Sequence, residues 1–452
     1  MANIKREHLS GWGLTPATHC VSYRPEKERE LARLLKSQQA QVIARGLGRS
    51  YGDASLQPHG VIKTERLDNF IEWNAESGIL RAQAGVSLAE VMAFSVPRGF
   101  LPPVIPGTKY VTLGGALACN VHGKNQYKAG EFAEHVTSLR LLMEGGKSVE
   151  CSPGEHSDLF WATAGGMGMT GIIEELSLKL MPIHSTSLRT HAERVDNIEQ
   201  MVTAFEQNRA SADYMIGWID HMARGERIGR GVFEAASHIT MGEGGSPCTG
   251  YRMEKPRLSV PCYAPSFLLN KYVMAAYNHL RFKRYEHHPA NGRTDLNHFF
   301  HPLDAIGHWN RLYGKGGFFQ YQCLLPEGEQ VGAQLRQLLT SLQEEKIFSF
   351  LAVIKYHRAG KAPLSFSQAG YSVALDFPNT ARVRTAIPHI NHWIAERGGR
   401  VYLAKDALMS ADMFEAMYGK HAGLWRDLIA EADPHGRFSS MMSERLEWKT
   451  PQ

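Results

Sequence analysis

The chain has 452 residues, 43% of them hydrophobic and 21% charged, with 50 lysines and arginines against 45 aspartates and glutamates, a formal charge of +5. That length allows two or three domains with full cores, and the composition is globular: no run reaches the roughly 18 apolar residues of a membrane span. The mild positive charge suits an anionic substrate or a membrane surface and is too small to argue for nucleic acid.

The opening residues, Met1-Ala2-Asn3-Ile4-Lys5-Arg6-Glu7-His8, lack an apolar h-region, so no signal peptide is expected. Six cysteines (Cys20, Cys119, Cys151, Cys248, Cys262, Cys323) form no CxxC pair, which argues against a zinc site or any other metal and for reduced thiols in a cytoplasmic protein.

Residues 26–40 carry Leu31, Leu34 and Leu35 among charges, predicting an amphipathic helix, and Gln41-Val42-Ile43-Ala44 reads as a short buried strand. Arg45-Gly46-Leu47-Gly48-Arg49-Ser50-Tyr51-Gly52-Asp53 follows. Its glycines permit positive φ and close approach of a ligand, and successive N–H groups in such a turn suit a pyrophosphate. Alone, the stretch fits an ordinary surface turn equally well. Two strand-like runs within 61–84 turn at Glu76-Ser77-Gly78. Ser87 and Glu90 have capping-box spacing, predicting a helix to about Pro97. Pro102-Pro103 and Pro106-Gly107-Thr108 force an extended, turning segment, after which Thr112-Leu113-Gly114-Gly115 is expected to open a helix. Residues 139–143 and 148–151 flank a hairpin turn at Glu144-Gly145-Gly146-Lys147.

Gly166-Met167-Gly168-Met169-Thr170-Gly171 matches the dinucleotide fingerprint GxGxxG, but in the wrong context. The fingerprint needs a strand before and a helix after. Here 158–163 reads as a helix and 172–180 alternates as a strand, so a tight turn into a strand is the better account. Beyond Pro182, residues 193–208 read as a helix and 214–220 as a strand, while 241–265, rich in Gly, Pro and Ser, predicts a mobile loop. The stretch 270–288 is basic and aromatic (Lys271, Tyr272, Tyr277, Arg281, Phe282, Lys283, Arg284, Tyr285). It reads either as a solvated helix face or as a surface for an anionic, partly apolar ligand. Strands at 318–325, 348–355 and 371–377 and helices near 328–345 and 381–397 predict an antiparallel sheet with helices on one face, hence an α+β chain. A rival reading is a non-catalytic membrane- or nucleic-acid-binding protein that uses the 271–285 stretch.

The glycine stretch, the run from Pro106 to Asn125 and the run from Phe160 to Ile173 resemble, in order and spacing, the flavin domain of the vanillyl-alcohol oxidase and p-cresol methylhydroxylase family. Further motifs are similar to the branch that oxidises a polyprenyl-phosphate ribose: His122-Gly123-Lys124-Asn125, His301-Pro302-Leu303-Asp304, Gln320-Tyr321-Gln322 and Tyr402-Leu403-Ala404-Lys405-Asp406. The resemblance implies a two-domain PCMH-type fold, with residues 1–183 binding FAD, 184–400 forming the substrate domain and 401–452 packing back on the flavin domain. It implies Arg45, Gly46, Leu47, Gly48, Arg49, Ser50, Tyr51 and Gly52 around the pyrophosphate. Pro106, Gly107, Thr108, Thr112, Gly114 and Gly115 would run along the rest of the cofactor, with Asn120, Gly123, Gly168, Gly171, Ile172 and Tyr402 close by. Many relatives bond the flavin to a histidine at the position of Arg49; arginine cannot form that bond, so non-covalent FAD is expected.

The resemblance assigns His122 to the reactive face of the flavin, orienting the sugar, and Lys405 to removal of the hydroxyl proton. A lysine after an apolar run otherwise simply reaches for water; partly buried, with a lowered pKa, it can act as a base. Lys124, Gln322, Lys355 and Asp376 are implied to line the substrate. Where other members have a cysteine, this chain has Ala374, so the pocket wall differs. The implied activity is oxidation of the 2′-hydroxyl of a polyprenyl-phosphate ribose, with a short-chain reductase completing epimerisation to arabinose, peripheral contact with the inner membrane surface and no nucleic acid. A soluble alditol or sugar-lactone oxidase is the alternative within flavin chemistry.

Overall fold

A computed structural model describes residues 3–37, 40–265, 269–287 and 289–448. The parts of the expected helix at 38–39, the basic stretch at 288 and the C-terminal segment at 449–452 lie outside the described residues.

The first part of the chain forms two sheets. Asn3–Ser10 and Ala17–Arg24 pair antiparallel, and Val61–Lys63 and Ile43–Arg45 extend them in parallel into a four-stranded sheet. The helix Glu28–Ser37 buries Leu31, Leu34 and Leu35 beside it, as its spacing predicts. A second, five-stranded sheet is antiparallel throughout, in the order Phe70–Asn74, Ile79–Gln83, Ile172–Lys179, Val136–Leu142, Ser148–Cys151. Ser87 caps Leu88–Ser95 with the full capping box, and Thr112 caps the short helix Leu113–Ala118 by accepting from Gly115 N–H at 3.1 Å. The GxGxxG stretch joins the helix Ser157–Thr163 to the strand Ile172–Lys179, the reverse of a dinucleotide fold.

The remainder is built on an eight-stranded antiparallel sheet in the order Asn291–Asp295, Ser187–Val195, Gly231–His238, Tyr214–Ile219, Ala352–His357, Gly370–Pro378, Phe318–Pro326, Arg400–Val401. Three helices, Ile198–Asn208, Val331–Glu344 and Ala381–Glu396, cover one face. Their apolar stripes (Met201 and Phe205; Leu335, Leu338 and Leu342; Val383, Ile387 and Ile394) meet Tyr321, Cys323, Val373 and Leu375 from the strands. Because strand side chains alternate, Gln320, Gln322, Ser372, Asp376, Lys355 and His357 stand on the opposite face. That alternation creates the site.

Three expected elements differ. Residues 193–195 complete the strand Ser187–Val195, paired with Gly231–His238, and the helix starts only at Ile198, where Asn197 accepts from Gln200 N–H. The strand expected at 348–355 is Ala352–His357; residue 349 instead takes a turn in which Ser349 N–H donates to His221 Nδ1. The strand-like run before Lys405 pairs only over Arg400–Val401, then tightens into the 3-10 turn Leu403–Lys405. Tyr51 N–H donates to the Ala404 carbonyl at 3.0 Å, so the backbone is drawn from the sheet towards the glycine stretch.

The final helices close over these parts. Ala411–Ala432 buries Trp425, whose Nε1–H donates to the Ala162 carbonyl at 3.1 Å. Phe438 bridges to Val42. Arg445, in Met441–Arg445, makes a bidentate pair with Asp53 (2.8 and 2.9 Å) and reaches Asp406 at 2.9 Å. No helix among the described residues is long and apolar enough to cross a membrane.

Candidate active site

The glycine stretch leaves the strand Ile43–Arg45 and turns with Gly48 at φ +63°. Side chains are excluded here by close approach. A Cβ on Gly46 would lie 2.2 Å from Thr112 Oγ1, and one on Gly52 would lie 1.8 Å from the Asp406 carbonyl oxygen. Among the described residues, the backbone N–H groups of residues 47–50 meet no acceptor. A concave run of unspent amides is what an anionic pyrophosphate requires. Arg49 lies over the Trp12 ring at 3.9 Å and feels the charge of Asp304. Ser50 Oγ is 3.5 Å from Cys119 Sγ. Leu47 points outward, 39% exposed. Arg45 turns inward instead, donating to the Ser10 carbonyl (2.7 Å) and to Ser55 Oγ (3.0 Å), so it braces the loop.

Across from this loop stands the face of the eight-stranded sheet opposite the three helices, with Gln322, Ser372, Asp376 and His357 buried on it. His122, 5% exposed, brings its Nε2 to 3.1 Å from the Gln322 amide nitrogen. Its ring packs near His357 (4.8 Å), Tyr402 (5.4 Å) and Phe366 (5.7 Å). The Gln322 nitrogen also reaches Ser372 Oγ (3.3 Å), which bonds His357 Nε2 (2.7 Å). Tyr402 donates from its hydroxyl to the Cys119 carbonyl at 2.7 Å, tying the turn that carries Lys405 to the segment that carries His122. Lys405 Nζ lies 5.7 Å from the centre of the Tyr51 ring. Asp376 accepts from Gln320 Nε2 (2.6 Å) and from the Tyr313 hydroxyl (3.3 Å). Lys124 donates to the Phe299 carbonyl, with its Nζ 4.0 Å from the Phe299 ring.

Burial and like charge set the protonation of this cluster. His122 is held well below its ordinary value by burial, then by Lys355, His357 and Lys405, so it is neutral at pH 7. Lys355 is pushed down to about 7 by burial, then by Lys405 and Lys124. Lys124 falls to about 8 through burial, opposed by Glu234. Lys405 is lowered by burial and partly held up by Asp376, whose carboxyl burial raises in turn. A lysine so shifted can exist as a free amine near neutrality and accept a proton.

The structure therefore brings together Tyr51, His122, Lys124, Gln322, Lys355, Asp376, Tyr402 and Lys405. Ala374 pairs in register with Gln322 and Val353, in the middle of the same face. Other expected residues are placed differently. Asn120 spends its side chain on Glu131 (2.7 Å) and the Ala133 N–H (3.1 Å). Ile172 is buried with Val42 and Phe438. Gly168 and Gly171 shape the turn before that strand, at φ +82° and +150°. Gly114 packs against Ala84, and a Cβ on Gly123 would meet Asn125 Oδ1 at 2.6 Å. Thr108 Oγ1 accepts from Tyr110 N–H, while a Cβ on Gly107 would enter open space. Sequence reasoning named Gln320 only within a motif, without a role, and missed His357 and Ser372. Each stands two residues from, or in register with, a residue it did identify, so strand periodicity applied to Lys355, Ala374 and Gln322 would have found them.

A family model described as an FAD binding domain matches residues 21–152. Decaprenylphosphoryl-beta-D-ribose oxidase from Mycolicibacterium smegmatis is 34% identical over 453 residues, covering 98% of this chain and 97% of its own. A putative D-arabinono-1,4-lactone oxidase from Neurospora crassa is 25% identical over 225 residues, covering 49% of this chain and 40% of its own. Delta(24)-sterol reductase from Homo sapiens is 28% identical over 116 residues, 26% of this chain and 22% of its own. FAD is the cofactor, and the chain belongs to the FAD-dependent oxidoreductases of the vanillyl-alcohol oxidase and p-cresol methylhydroxylase family, in the group that includes decaprenylphosphoryl-beta-D-ribose oxidase.

Proposed function

We propose that this chain oxidises a secondary sugar hydroxyl to a ketone, the 2′-hydroxyl of a polyprenyl-phosphate β-D-ribose, as the first half of an epimerisation to arabinose. A short-chain reductase would carry out the second half. The observation that carries the reading is the convergence of a shifted Lys405, a neutral His122 and two further lowered lysines on one sheet face opposite the amide cradle. The similarity to the mycobacterial oxidase along nearly the whole chain supports the choice of substrate.

FAD, when bound, supplies the acceptor for the hydride that leaves the carbinol carbon. The amides of residues 47–50 would hold its pyrophosphate, with Arg49 adding positive charge. Lys405, as the free amine, takes the hydroxyl proton. His122 and Gln322 hold the hydroxyl in line, contributing orientation more than proton transfer. Lys355 and Lys124 keep the cleft positive for an anionic substrate. We infer a cytoplasmic location with peripheral contact to the membrane that holds such a lipid.

The test is anaerobic bleaching of the flavin band on mixing with polyprenyl-phosphate ribose, with an alditol and with a sugar lactone. Bleaching by the ribose lipid supports the reading. Bleaching by the alditol or lactone alone would replace it with the soluble-oxidase reading, which the partial similarity to a lactone oxidase favours.

A further inference from the structure

We propose that the hollow lined by one stripe of the helix Lys271–Arg284 binds the phosphate and the first isoprene units of a prenyl-phosphate ligand. This rests on the ribose-lipid reading above and gives it a second half-site.

The helix shows two stripes. Met274, Asn278 and Phe282 face inward. Phe282 packs with Trp218 and Val232, and Asn278 Nδ2 donates to Asp220 Oδ1 at 2.9 Å. Tyr277, Leu280, Arg281 and Arg284 stand at i, i+3, i+4 and i+7 and so share another side of the helix. With Tyr285 and His298 they line a hollow of about 430 Å³, within the roughly 300–1,000 Å³ of ligand sites.

The charge in the hollow is uncompensated. Among the described residues, neither Arg281 nor Arg284 has a carboxylate partner. Arg281 lies over the Trp218 ring at 4.5 Å, and the acid on this side, Glu234, already accepts from the Tyr285 hydroxyl at 2.8 Å. Guanidinium groups one helical turn apart, open to an incoming oxyanion, suit a phosphate diester. The apolar part is also open: Leu280 is 66% exposed, and Tyr277, stacked on Phe350 at 5.3 Å, is still 45% exposed. A free sugar or inorganic phosphate has nothing to place there, whereas an isoprene chain does.

The hollow and the active cleft lie against the same face of the sheet. Trp218 pairs in register with Val353 and Ile216 with Glu234, so Trp218 and Glu234 stand on the same sheet face as Lys355. Glu234 lies near enough to Lys124 to oppose the lowering of its pKa. His298 is followed by Phe299, which accepts from Lys124. A ligand with its sugar at Lys405 would therefore run past Lys124 and place its phosphate and chain in this hollow.

The test is isothermal titration of the FAD-loaded protein with farnesyl phosphate, which has no sugar to oxidise. The parent is expected to bind. Arg281→Ala with Arg284→Ala should weaken binding at least tenfold, Leu280→Asn several-fold, and Arg281→Lys with Arg284→Lys markedly less than the alanine pair. Flavin content and melting temperature equal to the parent's establish that each variant is folded. A parent that fails to bind, a folded alanine pair that binds like the parent, or inorganic phosphate displacing farnesyl phosphate at equal concentration would each overturn the proposal. A parent that binds farnesyl phosphate through these arginines, yet is not bleached by the ribose lipid, keeps the subsite and rejects the substrate reading.

Discussion

Replacing Lys405 tests the chemistry most directly. At pH 7 a lysine with its ordinary pKa near 10.4 is a free amine in roughly one molecule in 2,500. Each unit by which the protein lowers that value makes the base about tenfold more abundant. Lys405 is pulled down by burial and held back by Asp376, so the two residues can be separated by their signs. Lys405→Ala is expected to retain FAD and slow anaerobic flavin bleaching about a hundredfold or more, as loss of a general base does. Asp376→Asn removes the charge that favours the ammonium form, keeps one oxygen to accept from Gln320, and leaves an amide NH2 that can donate to the Tyr313 hydroxyl oxygen. An opposite charge nearby is worth roughly 1–3 units. The rate of bleaching rises with pH as the amine forms, and in Asp376→Asn that rise should begin about a unit or more lower. Stopped-flow bleaching as a function of pH reads both effects. Parental rates in Lys405→Ala would remove it as the base and make Lys355, already at about 7, the candidate. An upward shift in Asp376→Asn would refute the electrostatic reasoning itself.

Further expectations concern cofactor, assembly and pH. Because Arg49 cannot form a flavin bond, acid precipitation should release all yellow colour into the supernatant, and flavin in the pellet would contradict this. Arg445→Ala strands two buried carboxylates, Asp53 and Asp406, with side chains 5% and 3% exposed; a loss of about 3–5 kcal/mol is expected, read as an earlier melt accompanied by flavin release. Glu131, 1% exposed, accepts from Asn120 and Ser365, and its pKa is pushed up to about 7 by burial. The folded state therefore holds a proton that the unfolded chain, titrating near 4.5, has given up, so stability falls as pH rises from about 4.5 to 7. Glu131→Gln should flatten that fall, by up to about 3 kcal/mol; an unchanged stability profile between pH 4.5 and 7 would show that Glu131 is not the group responsible.

What the sequence revealed followed the physics of each signal. Capping at Ser87, the hairpin at 144–147 and the helix over Leu31, Leu34 and Leu35 are local, and each appeared as read. The glycine stretch was legible because Gly46 and Gly52 are needed where Thr112 and Asp406 press against the backbone, and Gly48 where φ is +63° beside Arg45. The strand Gly231–His238 was not legible, since its apolar residues run together without a turn signal and it is defined by its neighbours on either side. Lys405 was identified, but not its 3-10 turn, because the turn exists to meet Tyr51, more than three hundred and fifty residues away in the chain. Arg45 and Asn120 show the opposite limit: a motif gives a position on the backbone, and only packing decides whether the side chain faces the ligand or braces the loop.

The Arg445 clamp has a consequence for the order of events in synthesis. It joins Asp53, at the end of the glycine stretch, to Asp406, next to the proposed base, and Phe438 bridges to Val42 just before that stretch. A ribosome that has made the first four hundred residues has made most of both walls of the cleft, already joined by pairs such as His122–Gln322, but not the clamp that ties the glycine stretch to Asp406. If the glycine stretch holds the pyrophosphate as proposed, its cradle is expected to set fully once residues 438–445 have emerged, which would assign flavin capture to the finished chain. Contacts spanning this much sequence are slow to find. A chain stopped before residue 438 would be expected to collect as colourless, protease-sensitive protein even with flavin in excess.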